Sequence, residues 1–535
     1  MVVGSKYSTE ISNEEYDTIV IGSGAGGLTA AVLLAELGQK VIVFEKHYMA
    51  GGFTHTYRRK GYEFDVGFHY AGDVHRENSQ LRNLFHHVSG GKLEWKEVGP
   101  VYDRIVFPDR TYDFVAGEKN FISELSRHFP DEHKRIKKFV KRMKKVSGSF
   151  PRFMVPNFLP AFIDSFCGDK IRGKFQDFAQ TTTREALEEH FSNEDLRAIL
   201  AGQCGDYGLP PSQSSFGVHS IIACHYMDGA SYPIGGGSTV ARTMVEKLER
   251  HGGNLVVRTG VDEILIEDDE AKGVRLENGD VVRAKRVVSN AGYMNTFQRL
   301  VKNTNVREDY SRILPKLNRS TSHMCLYLGF KKSDEELGLG TANYWVYPSY
   351  EHDKNFDAYS EEPFSNPPPI TYISFPSAKD PSFSERFPGK STVQVIGMVK
   401  YDWFKDWDES ESRKRGEEYE SLKERLAQPH LDILYKHFPQ LEGELDFIEI
   451  SSPLSTRDYS HTGEGEIYGI ACTPERFTEE AWGYLKPDTR VENLYLAGQD
   501  TTMVGVPSAV VSGYTVASMI SGKNLLIKYG RKPVA

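Results

Sequence analysis

A strand, a glycine-rich turn and a helix follow one another near the start of the chain, and they limit the fold more than any other feature. The apolar run Thr18–Ile21 predicts a buried parallel strand, and Leu28–Leu37 has the apolar stripe of the following helix. Gly22 permits a tight turn, Gly24 lets the backbone approach a diphosphate, and Gly27 lets the helix pack closely on the sheet. This order predicts an adenine-dinucleotide site with the diphosphate at the helix N-terminus.

The next segment favours a flavin over a nicotinamide dinucleotide. A second predicted strand, Lys40–Phe44, ends at Glu45, about twenty residues after the turn, where a carboxylate can accept both ribose hydroxyls. Because an acid there disfavours a 2′-phosphate, FAD or NAD is expected and NADP is not. Gly51-Gly52 and the stretch Gly61–Gly67 continue without a second crossover helix, which suits a chain wrapped around an extended flavin. We therefore expect FAD.

The C-terminal region predicts a second part of the same site. Asn493–Asp500 is a short apolar strand that ends in Gly and Asp, and Pro507-Ser508-Ala509 opens another helix. Motifs in these regions and in other parts of the chain resemble the phytoene desaturase and carotenoid isomerase superfamily of flavoproteins, specifically its retinol saturase branch. They are Ala50-Gly51-Gly52, His55-Thr56, Glu63-Phe64-Asp65, Gly205-Asp206-Tyr207-Gly208, His225-Tyr226-Met227, Tyr232-Pro233, Val288-Ser289-Asn290-Ala291-Gly292, Phe375–Pro381, Phe438–Gly443 and Gly498-Gln499-Asp500.

The resemblance implies an α/β fold in which a Rossmann-type FAD-binding domain, glutathione-reductase-like, is interleaved with a mixed α+β substrate domain. The FAD-binding domain would comprise residues 14–75, 229–300 and 486–530, and the substrate domain 76–228 and 301–485. Residues 349–369, with charges and three consecutive prolines, predict a mobile surface loop. The expected cofactor-binding residues are Gly22, Ser23, Gly24, Ala25, Gly26, Gly27, Glu45, Lys46, Gly51, Gly52, Val66, Gly67, Val261, Asn290, Ala291, Gly292, Gly498, Asp500, Pro507, Ser508 and Ala509.

The resemblance also implies saturation of a carbon–carbon double bond in a hydrophobic polyene, such as a retinoid or a carotenoid. A hydride would come from N5 of the reduced flavin and a proton from a nearby side chain. The candidate donors are His55, His69, Tyr70, His225 and Tyr226. With no evident nicotinamide domain, the electrons would come from NAD(P)H bound transiently or from a separate redox protein.

Three other functions fit parts of the sequence. A carotenoid desaturase or a cis–trans isomerase would share the cofactor motifs. A prenyl- or lipid-binding escort protein would share the fold without flavin chemistry, although the complete glycine motif with Glu45 and Asp500 opposes that interpretation. A flavin amine oxidase acting on a polar amine is a further alternative. The lack of an evident aromatic cage and the saturase-like motifs oppose it, although such a cage cannot be recognised reliably from one sequence.

Composition limits the partners and the location. The net charge of −9 argues against nucleic acid as a ligand. Five widely spaced cysteines without a C-x-x-C pair indicate a reducing compartment and no metal site, and the polar N-terminus predicts a cytoplasmic protein. No stretch of 18 apolar residues occurs. Within residues 134–166, however, the basic run Lys134–Lys145 precedes the apolar run Phe150–Ile163, which predicts peripheral contact with a membrane.

Overall fold

A parallel sheet at the centre of the molecule is built from segments that are far apart in the chain. The computed structural model describes residues 4–158 and 161–531. The sheet has five strands, all paired in parallel, and each of the three predicted FAD-binding blocks contributes at least one of them. Their order across the sheet is Asn254–Val256, Val41–Phe44, Thr18–Ile21, Val287–Ser289 and Leu494–Leu496. A parallel sheet joined by crossover helices confirms the predicted α/β class.

The helix Ala25–Glu36 lies on this sheet and contacts Val506–Ser521 and Ser238–Arg250. Small residues make the first contact close, because a Cβ on Gly513 would lie 2.4 Å from the carbonyl oxygen of Gly26. The N-terminal end of one helix is thereby packed against the C-terminal segment of the chain. Both parts of the predicted dinucleotide site meet here.

A second, seven-stranded sheet is formed by segments of both predicted substrate-domain blocks. Its strand order is Leu445–Ile450, Ser322–Phe330, Ser391–Val399, Thr371–Ser374, Asn343–Val346, Val101–Val106 and Thr111–Val115. One face, which includes Leu326 and Val395, packs against the helix Glu417–His437. Because side chains alternate across a strand, the register directs His323, Tyr372 and Met398 to the opposite face.

Smaller elements connect the two sheets. Glu15–Tyr16, Val261–Glu267, Glu270–Leu276 and Val281–Ala284 form a four-stranded sheet, with Asn278-Gly279 in the turn between its last two strands. The remaining strands are Thr56–Arg59, Tyr62–Asp65, Ala71–Gly72, Trp95–Glu97 and Ala230–Pro233. The other α-helices are Gln80–Val88, Glu118–His128, His133–Ser147, Phe150–Met154, Ala161–Ala179, Thr183–Glu188, Glu194–Leu200, Phe216–Met227, Thr304–Ser311, His352–Glu361, Pro376–Lys379, Phe383–Arg386, Pro453–Ser460, Glu479–Tyr484 and Leu525–Gly530.

The prediction of a loop over residues 349–369 is wrong, because residues His352–Glu361 form a helix. Its inner side is anchored by the buried side chains of His352 and Tyr359. Asp353 also binds the backbone N–H of Ser212 and the guanidinium of Arg184. These long-range contacts outweigh the local turn signals.

The described part of residues 134–166 buries much of its apolar surface inside the protein. In the helix His133–Ser147 the buried side includes Phe139 and Met143, and the helix packs against Phe216–Met227. Phe153 and Met154 are buried as well. Leu159 and Pro160, and the side chains of residues 157–167, lie outside the described residues. Membrane contact therefore stays a prediction, and within the described residues no helix is long and apolar enough to cross a membrane.

Candidate active site

The glycine turn forms a tight cradle at the start of the helix Ala25–Glu36. Gly22 has φ +90°, and Gly24 is the N-cap residue. A Cβ on Gly24 would lie 2.8 Å from Nδ2 of Asn290, and one on Gly27 would lie 2.3 Å from the carbonyl oxygen of Gly22. The first N–H groups of a helix have no partner within it, so they point toward any anion placed there. The cradle thus has the shape and polarity that a diphosphate requires.

Glu45 is buried beside the turn and fastens it to the end of the second strand. Its Oε2 accepts hydrogen bonds from the backbone N and the Oγ of Ser23, at 2.8 and 2.6 Å. Its Oε1 accepts one from the backbone N of His47 at 2.8 Å. A carboxylate has roughly four acceptor sites, so about one is left for a ligand. The prediction that Glu45 binds both ribose hydroxyls would require Ser23 to give up a bond.

Replacing Glu45 with glutamine is expected to destabilise the flavin-free protein by about 1–3 kcal/mol. The amide nitrogen would face either the Ser23 donors or the N–H of His47, leaving a buried donor without an acceptor. Urea unfolding measures the difference. Glu14→Gln, at a side chain that is half exposed and paired with Lys40, is the matched control and should change stability by less than about 0.5 kcal/mol. Equal midpoints for both variants would mean that Glu45 does not hold the turn.

One cavity of about 540 Å³ joins the glycine cradle to the junction between the two large sheets. All the predicted cofactor residues line it except Ser23 and Gly27, which support the turn from behind. The predicted cofactor residues that line the cavity are Gly22, Gly24, Ala25, Gly26, Glu45, Lys46, Gly51, Gly52, Val66, Gly67, Val261, Asn290, Ala291, Gly292, Gly498, Asp500, Pro507, Ser508 and Ala509. The structure thus brings together residues from three distant parts of the chain, while their individual binding roles stay predictions.

The far end of the cavity is a chamber with apolar and aromatic walls. The seven-stranded sheet supplies one wall through Trp345, Tyr372, Ile396 and Met398, whose register puts them on one face. The helix Phe216–Met227 supplies other lining residues, including Ile221, Ile222, His225 and Tyr226. Walls of this kind, with a few polar groups, are typical of sites for hydrophobic small molecules.

The three candidate histidines line the cavity, and burial lowers the pKa of each one. The pKa values of His55 and His225 fall to about 4, and that of His69 falls to about 3. Nδ1 of His55 lies 2.6 Å from the carbonyl oxygen of Gly52, so this nitrogen must carry the proton. Nε2 of His225 accepts the backbone N–H of Gly72 at 2.8 Å, which puts the proton of its neutral form on Nδ1. All three rings are uncharged at neutral pH.

Tyr70 and Tyr226 stack on each other, with ring centroids 4.2 Å apart and planes at 11°. Burial raises the pKa of both hydroxyls well above the usual value, so both keep their protons. The hydroxyl of Tyr70 lies 3.2 Å from Oδ2 of Asp103 and 3.2 Å from Oδ2 of Asp206. The structure therefore connects a predicted site residue to two carboxyl groups.

Tyr70, Asp103 and Asp206 belong to a buried polar cluster, which also contains groups that the sequence analysis did not identify. Asp103 accepts hydrogen bonds from Nε2 of Gln203 at 2.8 Å and Nδ2 of Asn343 at 3.1 Å. Lys379 donates to Asn343, to Ser374 and to the carbonyl oxygen of His69. Burial lowers the pKa of Lys379 to about 7. The motifs Gly205-Asp206 and Phe375–Pro381 were the available signals for Asp206 and Lys379, whereas Asp103, Gln203 and Asn343 lie outside the motifs.

Comparison with known proteins gives a family for this geometry. Residues 25–521 match the family of flavin-containing amine oxidoreductases. The chain belongs to this family. It is also 34% identical to an all-trans-retinol 13,14-reductase from Danio rerio, with 96% of this chain and 87% of that protein covered, which assigns it to the retinol-reductase branch. The family confirms the predicted fold class, the FAD cofactor and the assignment as an FAD-dependent oxidoreductase.

Two other relatives show how widely the scaffold is used. A Danio rerio protein named as an inactive all-trans-retinol 13,14-reductase is 32% identical over 98% of this chain and 89% of its own length. A chloroplastic prolycopene isomerase from Daucus carota is 26% identical over 95% of this chain and 80% of its own length. Membership of the family therefore does not by itself decide the reaction.

The residues present fit FAD. Cβ atoms on Gly26 and Gly27 would lie within 3 Å of neighbouring atoms, and the turn opens onto the cavity, as close approach of a diphosphate requires. Glu45, Val261, Gly498 and Asp500 all line this cavity, and Gly498 adjoins the turn, because a Cβ on Gly26 would lie 2.9 Å from the backbone N of Gly498. These residues would hold the cofactor so that the chamber faces its reactive end.

Proposed function

We propose that the protein saturates a carbon–carbon double bond of a hydrophobic polyene, of the retinoid or carotenoid class. The observation that supports this function is the continuity of the cavity, in which an apolar chamber opens directly onto the dinucleotide cradle. The relatives named as retinol reductase and prolycopene isomerase favour a polyene as the substrate class. Because a similar relative is named as inactive, the proposal depends on the chamber more than on the relationship.

The chain would bind the polyene, keep water out and hold a proton near the double bond. When bound, reduced FAD supplies the two electrons as a hydride. Aromatic and aliphatic walls, including Tyr372 and Ile222, would bind the polyene by excluding water from it. His55, His69 and His225 stay candidates for contact with substrate or cofactor, but their low pKa values exclude a charged imidazolium as the acid at neutral pH.

The test uses the FAD-loaded protein, reduced with dithionite without oxygen and mixed with all-trans-retinol or a carotenoid in detergent. Saturation is expected to reoxidise the flavin, to shift the polyene absorbance to the blue and to yield a product heavier by two hydrogens. Omitting dithionite is the control, because the oxidised protein has no electrons to donate.

Each alternative has its own outcome in this assay. A product of unchanged mass but changed geometry would support an isomerase, and a product lighter by two hydrogens would support a desaturase. A protein that binds the polyene but cannot take up FAD would support an escort function. Reduction of the oxidised flavin by an alkylamine would support amine oxidation. Any of these results without a heavier product contradicts saturation.

We also propose that electrons reach the flavin from transiently bound NAD(P)H or from a separate redox protein, and that the protein contacts membranes peripherally. The exposed side of the helix His133–Ser147, which includes Lys134, Lys137, Lys138 and Lys141, supports the membrane proposal because ammonium groups attract anionic head groups. Sedimentation with anionic vesicles should decrease as salt rises. Flavin reduction by NADPH alone would make a redox partner unnecessary.

A further inference from the structure

The hydroxyl of Tyr70 lies between two carboxyl groups and has too few hydrogens to satisfy both. It is 3.2 Å from Oδ2 of Asp103 and 3.2 Å from Oδ2 of Asp206. A tyrosine hydroxyl donates one hydrogen bond, so it can donate to only one of these oxygens. If the second carboxyl were ionised, its charge would face a lone pair of the same hydroxyl in a buried site. A second proton on one of the carboxyl groups removes this repulsion and completes a chain of hydrogen bonds.

The surroundings of the two carboxyl groups show which one holds that proton. Burial raises the pKa of Asp103 as well, but Asp103 receives side-chain hydrogen bonds from Gln203 and Asn343, and these donors stabilise its ionised form. For Asp206, the hydrogen bond seen among the described residues is the one to Tyr70. Burial and the charge of Asp103 raise the pKa of Asp206 well above its usual value. Asp206 is therefore the protonated member, donating to the oxygen of Tyr70, while Tyr70 donates to Asp103.

Asp206 also has access to the chamber. It ends the short helical turn Cys204–Asp206 and lines the cavity together with Gly205. A Cβ on Gly205 would lie 2.3 Å from the ring of Trp345, so glycine lets this turn approach the chamber wall. The stacked ring of Tyr226 holds Tyr70 in orientation behind it. Asp206 and Tyr70, which its carboxyl group contacts, thus both belong to the wall of the cavity in which a polyene would lie.

We propose that Asp206 is the proton donor for the double-bond saturation, that the charge of Asp103 keeps it protonated, and that Tyr70 is a positioning residue that orients its carboxyl group. This inference rests on the proposed function. The π bond of the alkene breaks and two C–H bonds form, one with a hydride from the reduced flavin and one with the proton of Asp206. The flavin is oxidised and Asp206 is left as a carboxylate. It regains a proton from solvent after the product leaves.

The protonated carboxyl can be observed without any substrate. Infrared spectra of the FAD-loaded protein at about pH 8 should contain a carboxylic acid C=O band that shifts in heavy water and disappears in Asp206→Asn. At this pH Asp65 and Asp334 are mostly ionised, because their pKa values are about 7 and about 6. Asp334→Asn, a substitution outside the cavity lining, is the matched control and should keep the band. Tyr70→Phe should keep the band but shift it to higher wavenumber, because the acid loses its acceptor.

Turnover supplies the second measurement. Asp206→Asn is expected to lower the rate of the reductive step by about 100-fold or more, the usual contribution of a general acid, with FAD affinity and polyene binding unchanged. Asp334→Asn should keep the wild-type rate. A band that persists in Asp206→Asn overturns the protonated state, and loss of the band with an unchanged rate overturns the role as donor. If the wild-type protein saturates no polyene, the proposed function fails and takes the donor role with it, while the band still reports the state of Asp206.

Discussion

Replacing Gly24 with alanine is expected to yield a folded protein that is purified without yellow colour. Gly24 has φ −61°, a conformation that alanine adopts without strain. The new Cβ would lie 2.8 Å from Nδ2 of Asn290, the end of a side chain that can move. It would, however, occupy the space through which a diphosphate approaches the helix N-terminus. Losing two charge-assisted hydrogen bonds, at about 1.5–3 kcal/mol each, lowers FAD affinity by about 100-fold or more.

Two further glycine variants distinguish a loss of FAD binding from a loss of folding. Gly483→Ala, in the helix Glu479–Tyr484, adds a Cβ with no atom within 4 Å, so it should leave FAD binding unchanged and should not lower stability. Gly27→Ala should instead prevent folding, because its Cβ would lie 2.3 Å from a backbone oxygen. FAD titration by fluorescence and circular dichroism of the flavin-free proteins measure the two properties. Normal FAD affinity in Gly24→Ala would show that the diphosphate does not bind at this turn.

Local sequence patterns were sufficient for the elements around the dinucleotide turn. Strands such as Thr18–Ile21 are buried on both faces, so they are continuous apolar runs bounded by glycine or charge. The pairing of Val287–Ser289 with Leu494–Leu496 was not predictable, because nothing local specifies which distant strand becomes a neighbour. The helix His352–Glu361 was missed for a related reason. Its residues are mainly polar, and distant partners stabilise it.

The residues of the candidate site were likewise predictable only in part. Gly22 and Glu45 follow from a motif whose chemistry is local, and the resemblance to a family identified Tyr70 and Tyr226. Asp103 could not be identified, since an isolated Asp in a sequence is normally a solvated surface residue. Lys379 lies in the motif Phe375–Pro381, but the motif alone does not show that this side chain reaches the site. Only the folded chain shows that both are buried next to Tyr70.

Arg476 is another residue whose importance is visible only in the fold, and replacing it with methionine is expected to destabilise the protein by about 3–5 kcal/mol, because several buried acceptors lose their donor. The side chain is fully buried. Its Nη1 donates to the carbonyl oxygen of Ile470 at 2.8 Å, and its Nη2 donates to those of Gln499 at 2.8 Å and Asp500 at 3.1 Å. The carboxylate of Asp500 binds the backbone N of Ile470 in return, at 2.9 Å. Methionine would fill similar space but leave these carbonyl groups buried without donors.

The consequence should extend to the cofactor, because Gln499 and Asp500 line the cavity and directly follow Gly498, which adjoins the glycine cradle. We expect Arg476→Met to lose FAD together with stability, unlike Gly24→Ala, which should lose FAD alone. Arg476→Lys should recover only part of the stability, since an ammonium lacks the planar fork that reaches several carbonyl groups at once. Arg312→Met, at a side chain that is 74% exposed, is the control and should change the free energy of unfolding by less than about 0.5 kcal/mol. If urea unfolding gave the same midpoint for Arg476→Met and Arg312→Met, the buried guanidinium would not be what holds this side of the cavity in place.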